Sequence, residues 1–215
     1  MKIGIIGAGN VGQSIGRRLA EKGHFVVVSF ARSSEKLAAA AAAIGHDARV
    51  GTPGEAANAA DVVVLATPWA ATLDAAREIA PVVAGKVIWD TTNPLKADMS
   101  GLEIGTTTSG GEEVAKAVPT ANVVKAVPPM AELMAISGPL SIEGRAPGVF
   151  VCGDDADARS VVLQLVGDLG ADGVDAGPLA NARYTEPLGM LLVQLAYLQG
   201  MGASIGSSLL RERAS

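Results

Sequence analysis

The sequence predicts an α/β fold: a doubly wound parallel sheet with a small C-terminal α/β addition that ends in a long helix. Three observations carry this prediction. Aliphatic runs alternate with helical patterns from Lys2 to Asp90. The runs are continuously apolar, as in strands covered on both faces, so each helix is expected to cross over a parallel sheet. The first run ends in Gly7-Ala8-Gly9-Asn10-Val11-Gly12, a G-x-G-x-x-G turn that opens a helical pattern inside a βαβ unit.

The elements follow in order. Lys2–Ile6 reads as a strand, Val11–Lys22 as a helix, Phe25–Phe30 as a strand and Ser34–Ile44 as a helix. A short strand near Ala48–Val50 precedes a helix around Gly54–Asn58. Val62–Ala66 is a strand, Trp69–Val82 a helix and Lys86–Asp90 a strand. Beyond Pro94 the pattern loosens. Gly111–Ala117 is helical, Asn122–Ala126 and Gly148–Cys152 are strands, and Asp155–Leu169 is an amphipathic helix. A short strand near Gly173–Val174 leads into a helix expected to run from Leu179 to Arg211, kinked at Pro187. Ser137–Gly148, rich in Gly and Pro, reads as a loop. The expected division is a dinucleotide-binding domain over residues 1–147 and a small domain over 148–215.

Composition narrows the function. The 215 residues are 49% hydrophobic, enough for a sizeable core. The formal net charge is −5 and Lys and Arg are scattered, which argues against nucleic acid and against an anionic membrane surface. Cys152 is the lone cysteine, so neither an internal disulfide nor a thiolate metal cluster is expected; a buried thiol in a reducing cytosol is. The apolar start lacks the length of a signal peptide, and Leu188–Leu198 is too short to span a bilayer. A cytoplasmic chain is expected.

The glycine turn has a physical reading. Gly7 permits the tight turn out of the strand, Gly9 removes a Cβ where a pyrophosphate approaches, and Gly12 lets the helix pack close to the sheet. The helix N-terminus, at Asn10 and Val11, offers free N–H groups and a partial positive charge. The end of the second strand then selects the cofactor. Asp or Glu there would bind a ribose 2′-hydroxyl. This chain instead has Ser29-Phe30-Ala31-Arg32-Ser33-Ser34-Glu35-Lys36. Arg32 sits where a 2′-phosphate would lie and Lys36 follows one turn later, so NADP is expected over NAD.

Ligands in open α/β sheets bind outside the carboxyl ends of the strands. There stand Thr67-Pro68-Trp69 and Thr91-Thr92-Asn93-Pro94. Each proline holds its predecessor extended, so Thr67 and Asn93 are candidates to face the crevice. Trp69 either walls the cofactor or packs on the sheet. Asn93 either bonds a ribose or carboxamide or only makes the turn. His24 and His46 read as turn residues remote from the crevice. No carboxylate pair, Ser–His arrangement or metal-ligand cluster stands out, so acid–base chemistry finds no obvious agent. Hydride transfer between two rings needs less, because alignment supplies most of the effect.

At this point the chain resembles the NADP oxidoreductases that act on the 5-deazaflavin coenzyme F420, a domain also found in the reductase halves of eukaryotic membrane metalloreductases. The resemblance rests on GAGNVG at 7–12, Ala31-Arg32 with Lys36, ATPW at 66–69, DTTNP at 90–94, VVKA at 123–126, VCGDD at 151–155 and DAGPLANAR at 175–183. It implies direct hydride transfer between nicotinamide and deazaflavin. It further implies that Gly9, Asn10 and Val11 bind phosphate, that Arg32 and Lys36 hold the 2′-phosphate, and that Trp69, Leu73 and Asn93 line the nicotinamide side. One departure bears on the acceptor. Where the family carries a polar residue after VVKA, this chain has Val127-Pro128-Pro129-Met130. Pro128, Pro129 and Met130, with Leu133 and Met134, either floor a pocket for a flat ring or are plain core. A flavin, quinone or other small conjugated acceptor is the alternative, and a noncatalytic NADP(H)-binding sensor is the rival of another class. Apolar residues along the last helix (Met190, Leu191, Val193, Leu195, Leu198 and Met201) predict a homodimer.

Overall fold

The computed structural model describes residues 1–30 and 33–212. The eight strands are β1 (Lys2–Ile6), β2 (Phe25–Ser29), β3 (Arg49–Val50), β4 (Val62–Leu65), β5 (Val87–Asp90), β6 (Asn122–Lys125), β7 (Gly148–Gly153) and β8 (Asp172–Asp175). They form one sheet in the order β3-β2-β1-β4-β5-β6-β7-β8. The first six are parallel and have the Rossmann order, with the switch point between β1 and β4. β7 lies antiparallel to β6 and β8 parallel to β7, so the C-terminal addition continues the same sheet.

The α-helices among the described residues are α1 (Asn10–Glu21), α2 (Ser34–Ile44), α3 (Pro53–Ala59), α4 (Trp69–Ile79), α5 (Gly110–Ala117), α6 (Ala131–Ala135) and α7 (Ala156–Leu169) between the strands, and α8 (Ala182–Val193) after the last. Local chemistry explains their starts. Thr52 and Glu55 form a reciprocal capping box on α3, whose first residue is Pro53. Ser33, Ser109 and Asp155 cap α2, α5 and α7 with their side-chain oxygens. Gly170, at φ 91°, ends α7 in the left-handed conformation that favours glycine.

The core lies on both faces of β1 and β4. Ile5 and Val64 face one layer with Ile15 and Leu19 of α1. Ile6 and Leu65 face the other with Trp69 of α4 and Val114 of α5. Helix α1 sits close to the sheet because Gly16 carries no side chain. A Cβ there would come within 2.9 Å of Ile5 and Ile44.

Three expectations need correction. The C-terminal helix is present, but α8 passes into a π-helical turn at Gln194–Leu198 and stops there, well short of Arg211. Gly200 and Gly202, at φ 71° and 79°, turn the chain back instead. The returning segment pairs with the addition's first strand, Gly148 N–H donating to Ser207 O at 2.6 Å. The second correction is α6, a short helix inside the apolar stretch after β6. The third lies within Ser137–Gly148, where Ile142 and Arg145 form an isolated antiparallel bridge.

Candidate functional site

A single turn joins β1 to α1, and its three glycines do different work. Gly7 has φ 128°, and a Cβ there would strike the Ala66 carbonyl. A Cβ on Gly12 would strike the Gly7 carbonyl. Both glycines are required by packing. Gly9 is not: among the described residues an added Cβ meets nothing within 4 Å. Gly9 is also the N-cap of α1, with no side-chain cap and no acidic residue in the first turn. Among the described residues no capping side chain accepts from the first-turn N–H groups. The turn is braced from behind, since Ala8 N–H donates to Phe30 O at 3.2 Å and Gln13 Nε2 donates to Ala8 O at 2.8 Å. This open cradle is what a pyrophosphate requires.

From Asn10 and Val11 a cleft of about 580 Å³ runs across the carboxyl ends of β4, β5 and β6 to α8. That volume lies within the usual range for small-molecule sites. Thr67, Pro68, Trp69 and Asn93 line it, as do Pro128, Pro129 and Met130. The cleft therefore brings the end of the glycine turn and the apolar segment after β6 into one cavity.

Several side chains are committed elsewhere. The Thr67 hydroxyl pairs with that of Thr72 at 3.0 Å. Trp69 is only 9% exposed and belongs largely to the core beneath. Leu73, one turn later on the same face of α4, follows it into that core and does not reach the cleft lining. Pro94 packs on the start of α5, its Cδ within 3.2 Å of where a Gly110 Cβ would stand. Asn93 Nδ2 donates to Glu186 O at 3.1 Å, and its Oδ1 is buried without a partner among the described residues. Leu133 and Met134 are core residues, so the apolar floor is shorter than the sequence suggested. Lys36 is exposed in the first turn of α2, and Arg32 lies outside the described residues.

Two features escaped sequence reasoning. The first is a buried charge cluster behind the cleft. Lys125, at the end of β6, is completely buried and its ammonium donates to Asp90 Oδ2 at 2.8 Å and Thr92 O at 2.7 Å. It also lies 3.0 Å from Glu186 Oε1 of α8. Glu186 accepts from the N–H groups of Gly110 and Gly111, both at 2.9 Å, at the start of α5. Asp90 accepts from the N–H and hydroxyl of Thr92. The cluster thus ties the Thr91–Asn93 turn to α5 and α8. Arg183 and Glu112 add a second link between α8 and α5. The guanidinium donates to both carboxylate oxygens and holds the Glu112 carboxyl below the usual range. The sequence signal was present in Asp90, Lys125 and Glu186, yet nothing in the spacing says that three elements converge.

The second feature is Arg17-Arg18 on α1. Arg17 donates to Met134 O and Ala135 O, and Arg18 to Met134 O, Ile136 O, Gly138 O and Leu169 O. These bonds satisfy the last carbonyls of α6, which a five-residue helix cannot satisfy itself. One helix therefore begins at the glycine turn and fixes the apolar segment after β6 along its length. His24, in the turn between α1 and β2, reaches α7, its Nε2 lying 3.0 Å from Asp168 Oδ2. Cys152 is buried, which pushes its thiol up to about 11 and leaves it unreactive. Among the described residues no cluster of three His, Cys, Asp or Glu is arranged to hold a metal, and no helix is long and apolar enough to cross a membrane.

A Rossmann sheet, an open glycine cradle and a cleft at the switch point define a dinucleotide-dependent oxidoreductase. Residues 2–94 match the family model for NADP oxidoreductase, coenzyme F420-dependent. Similar proteins agree. The F420-dependent NADP reductase of Methanothermobacter marburgensis is 27% identical over 91% of this chain and 92% of its own length. Metalloreductase STEAP3 of Rattus norvegicus is 28% identical over 89% of this chain, which spans only 37% of that longer protein. A crystal structure from Arthrobacter sp. FB24, provisionally described as an F420-dependent NADP reductase, superposes with a TM-score of 0.86 at 29% identity, covering 98% of this chain and 100% of its own.

Proposed function

We propose that the protein is an NADPH-dependent reductase that passes hydride directly to a flat conjugated acceptor, with a deazaflavin of the F420 type as the leading candidate. The observation that supports it most is the continuity of one cleft from Asn10 and Val11, where the glycine turn enters α1, to the apolar segment Pro128–Met130. Gly7, Ala8, Gly9, Asn10, Val11 and Gly12 form the pyrophosphate cradle, Arg32 and Lys36 hold the 2′-phosphate, and Thr67, Pro68, Trp69 and Asn93 border the nicotinamide end. NADPH, when bound there, supplies the hydride. The chain's own residues orient the two rings and exclude water. The Val127–Met130 segment, apolar where the resembled family is polar, favours keeping flavins and quinones as second candidates. The expected working place is the cytoplasm.

The test is anaerobic mixing of the protein and NADPH with a deazaflavin, FMN and a quinone in parallel. Oxidation of NADPH by at least one acceptor, with a primary isotope effect from stereospecifically deuterated NADPH, is expected. Binding without turnover would favour a noncatalytic NADP(H) sensor. In the same preparation NADPH should bind more tightly than NADH. Arg32→Ala should weaken NADPH by about 1.5–3 kcal/mol, as for a hydrogen bond to a charged group, and barely affect NADH. Equal affinities in the unmutated protein would refute the 2′-phosphate assignment.

The proposal includes a homodimer. Met190 is buried within the chain, but Tyr184, Leu191 and Leu198 are 73%, 53% and 59% exposed. Tyr184 and Leu191, seven apart, lie along one face of α8, and Leu198 and Met201 beyond it are exposed as well. Light scattering should give twice the chain mass at micromolar concentration. A monomer mass throughout would remove this part of the proposal.

A further inference from the structure

The buried charge cluster stands behind the wall of the cleft at Trp69 and Asn93. Asp90, Lys125 and Glu186 are 0%, 0% and 1% exposed. Two carboxylates and one ammonium leave a formal excess of one negative charge. Both carboxylates accept from groups that favour the ionised form: Asp90 from Lys125 and from the N–H and hydroxyl of Thr92, Glu186 from the N–H groups of Gly110 and Gly111. The path from this cluster to the cleft is short. Thr91, Thr92 and Asn93 follow Asp90 directly and line the cleft, as do Thr185, Leu188 and Gly189 around Glu186. Glu186 Oε1 and Cζ3 of Trp69, another lining residue, both lie 3.2 Å from the position a Gly110 Cβ would take. The carboxylate and the indole are thus separated by no more than the space that a methyl group at Gly110 would fill. Other charges do little to cancel the excess. Among the described residues the charged ones lining the cleft, Lys96, Glu103 and Glu132, are exposed, so water and salt screen them. Arg183 and Glu112 offset each other, and the first N–H groups of α5 offset part of the excess.

We infer that the Asp90–Lys125–Glu186 cluster, anionic and buried behind the nicotinamide wall, stabilises the nicotinamide cation left when hydride departs, and so biases the bound cofactor toward donating hydride. The inference rests on the reductase reading above and deepens it. When the nicotinamide C4–H bond breaks, the hydrogen and the electron pair pass to the acceptor ring, which then takes a proton from water. The nicotinamide is left oxidised, as a pyridinium cation. A unit negative charge fixed one layer of side chains away, in a setting between protein interior and water, favours that cation by on the order of tenfold in an equilibrium constant. Contacts to the phosphates hold the oxidised and reduced forms alike, so the cluster acts on the ratio of the two affinities.

Titration with NADP⁺ and with NADPH measures that ratio. In the unmutated protein NADP⁺ should bind at least as tightly as NADPH. Glu186→Gln and Asp90→Asn each remove the excess charge and leave Lys125 one carboxylate partner. Each should weaken NADP⁺ relative to NADPH by about tenfold, which raises the potential of the bound couple by about 30 mV. Lys36→Ala, at the 2′-phosphate, should weaken both forms and leave the ratio where it is. A general loosening of the site would resemble Lys36→Ala, whereas a charge effect moves the ratio itself. Circular dichroism confirms that each variant is folded. Tighter binding of NADPH than of NADP⁺ by the unmutated protein, or a ratio that either folded variant leaves unmoved, would overturn the inference and leave the reductase reading standing. Binding of neither form would overturn both.

Discussion

Gly9→Val should leave a folded protein that no longer binds the dinucleotide. The backbone at Gly9 has φ −81° and ψ −175°, an extended conformation open to any residue. Among the described residues no atom beyond its chain neighbours lies within 4 Å of the position a Cβ would take. The fold therefore loses little, on the order of 1 kcal/mol for a poorer N-cap residue. The ligand loses its space, because a β-branched side chain would stand in front of the free N–H groups of α1. Gly7→Val provides the contrast. Its φ of 128° and the Ala66 carbonyl behind it make that change a folding defect. Circular dichroism beside an NADPH titration separates the two variants. A folded Gly9→Val protein with normal affinity would show that the cradle is not the binding site.

The second large effect is on stability. Lys125→Met should cost about 3–5 kcal/mol, the usual consequence of removing one partner from a buried ion pair. It leaves the Asp90 and Glu186 carboxylates, both fully or almost fully buried, without their shared cation. Urea denaturation measures the loss as a lower midpoint. Stability equal to the parent's would mean that the cluster does not tie α8 to the sheet. The cluster also sets an alkaline limit. Burial alone would lower the Lys125 pKa, but Asp90 and Glu186 outweigh it and the net shift is upward. A folded pKa above the unfolded value gives stability that is fully present below the ordinary lysine pKa of about 10.4. It is lost as the pH rises through the higher folded value. This contribution should therefore be constant through neutrality and decline only in strongly alkaline solution, and the Met variant should lack that decline.

Much of the fold was legible because the signals are local. Strand runs such as Ile3–Ile6 and Val62–Leu65 are apolar throughout, and Gly7, Gly9 and Gly12 punctuate the turn that follows the first of them. The capping box of Thr52 with Glu55, which the structure adds to the expected helix around Gly54–Asn58, is local in the same way. The end of the last helix was harder. Its apolar pattern continues through Leu198 and Met201, and only the left-handed backbone at Gly200 and Gly202 stops it. A glycine in a helical pattern does not by itself announce which conformation it will take.

The candidate site divides along the same line. By itself the sequence determined the sheet's first six strands and the glycine turn between the first strand and the first helix, because each depends on residues adjacent in the chain. Only the tertiary structure decided which of the crevice residues line one cavity. It turned Leu73 and Pro94 into packing, committed the Thr67 hydroxyl to Thr72, and brought Tyr197 to Glu132 across 65 residues. It also joined Asp90, Lys125 and Glu186 into one buried cluster, and set Arg17 and Arg18 beneath α6. The physical reason is that a buried charge must find its partners wherever the chain places them. Those partners come from elements whose meeting depends on the order of strands and the path of α8, which no local spacing encodes.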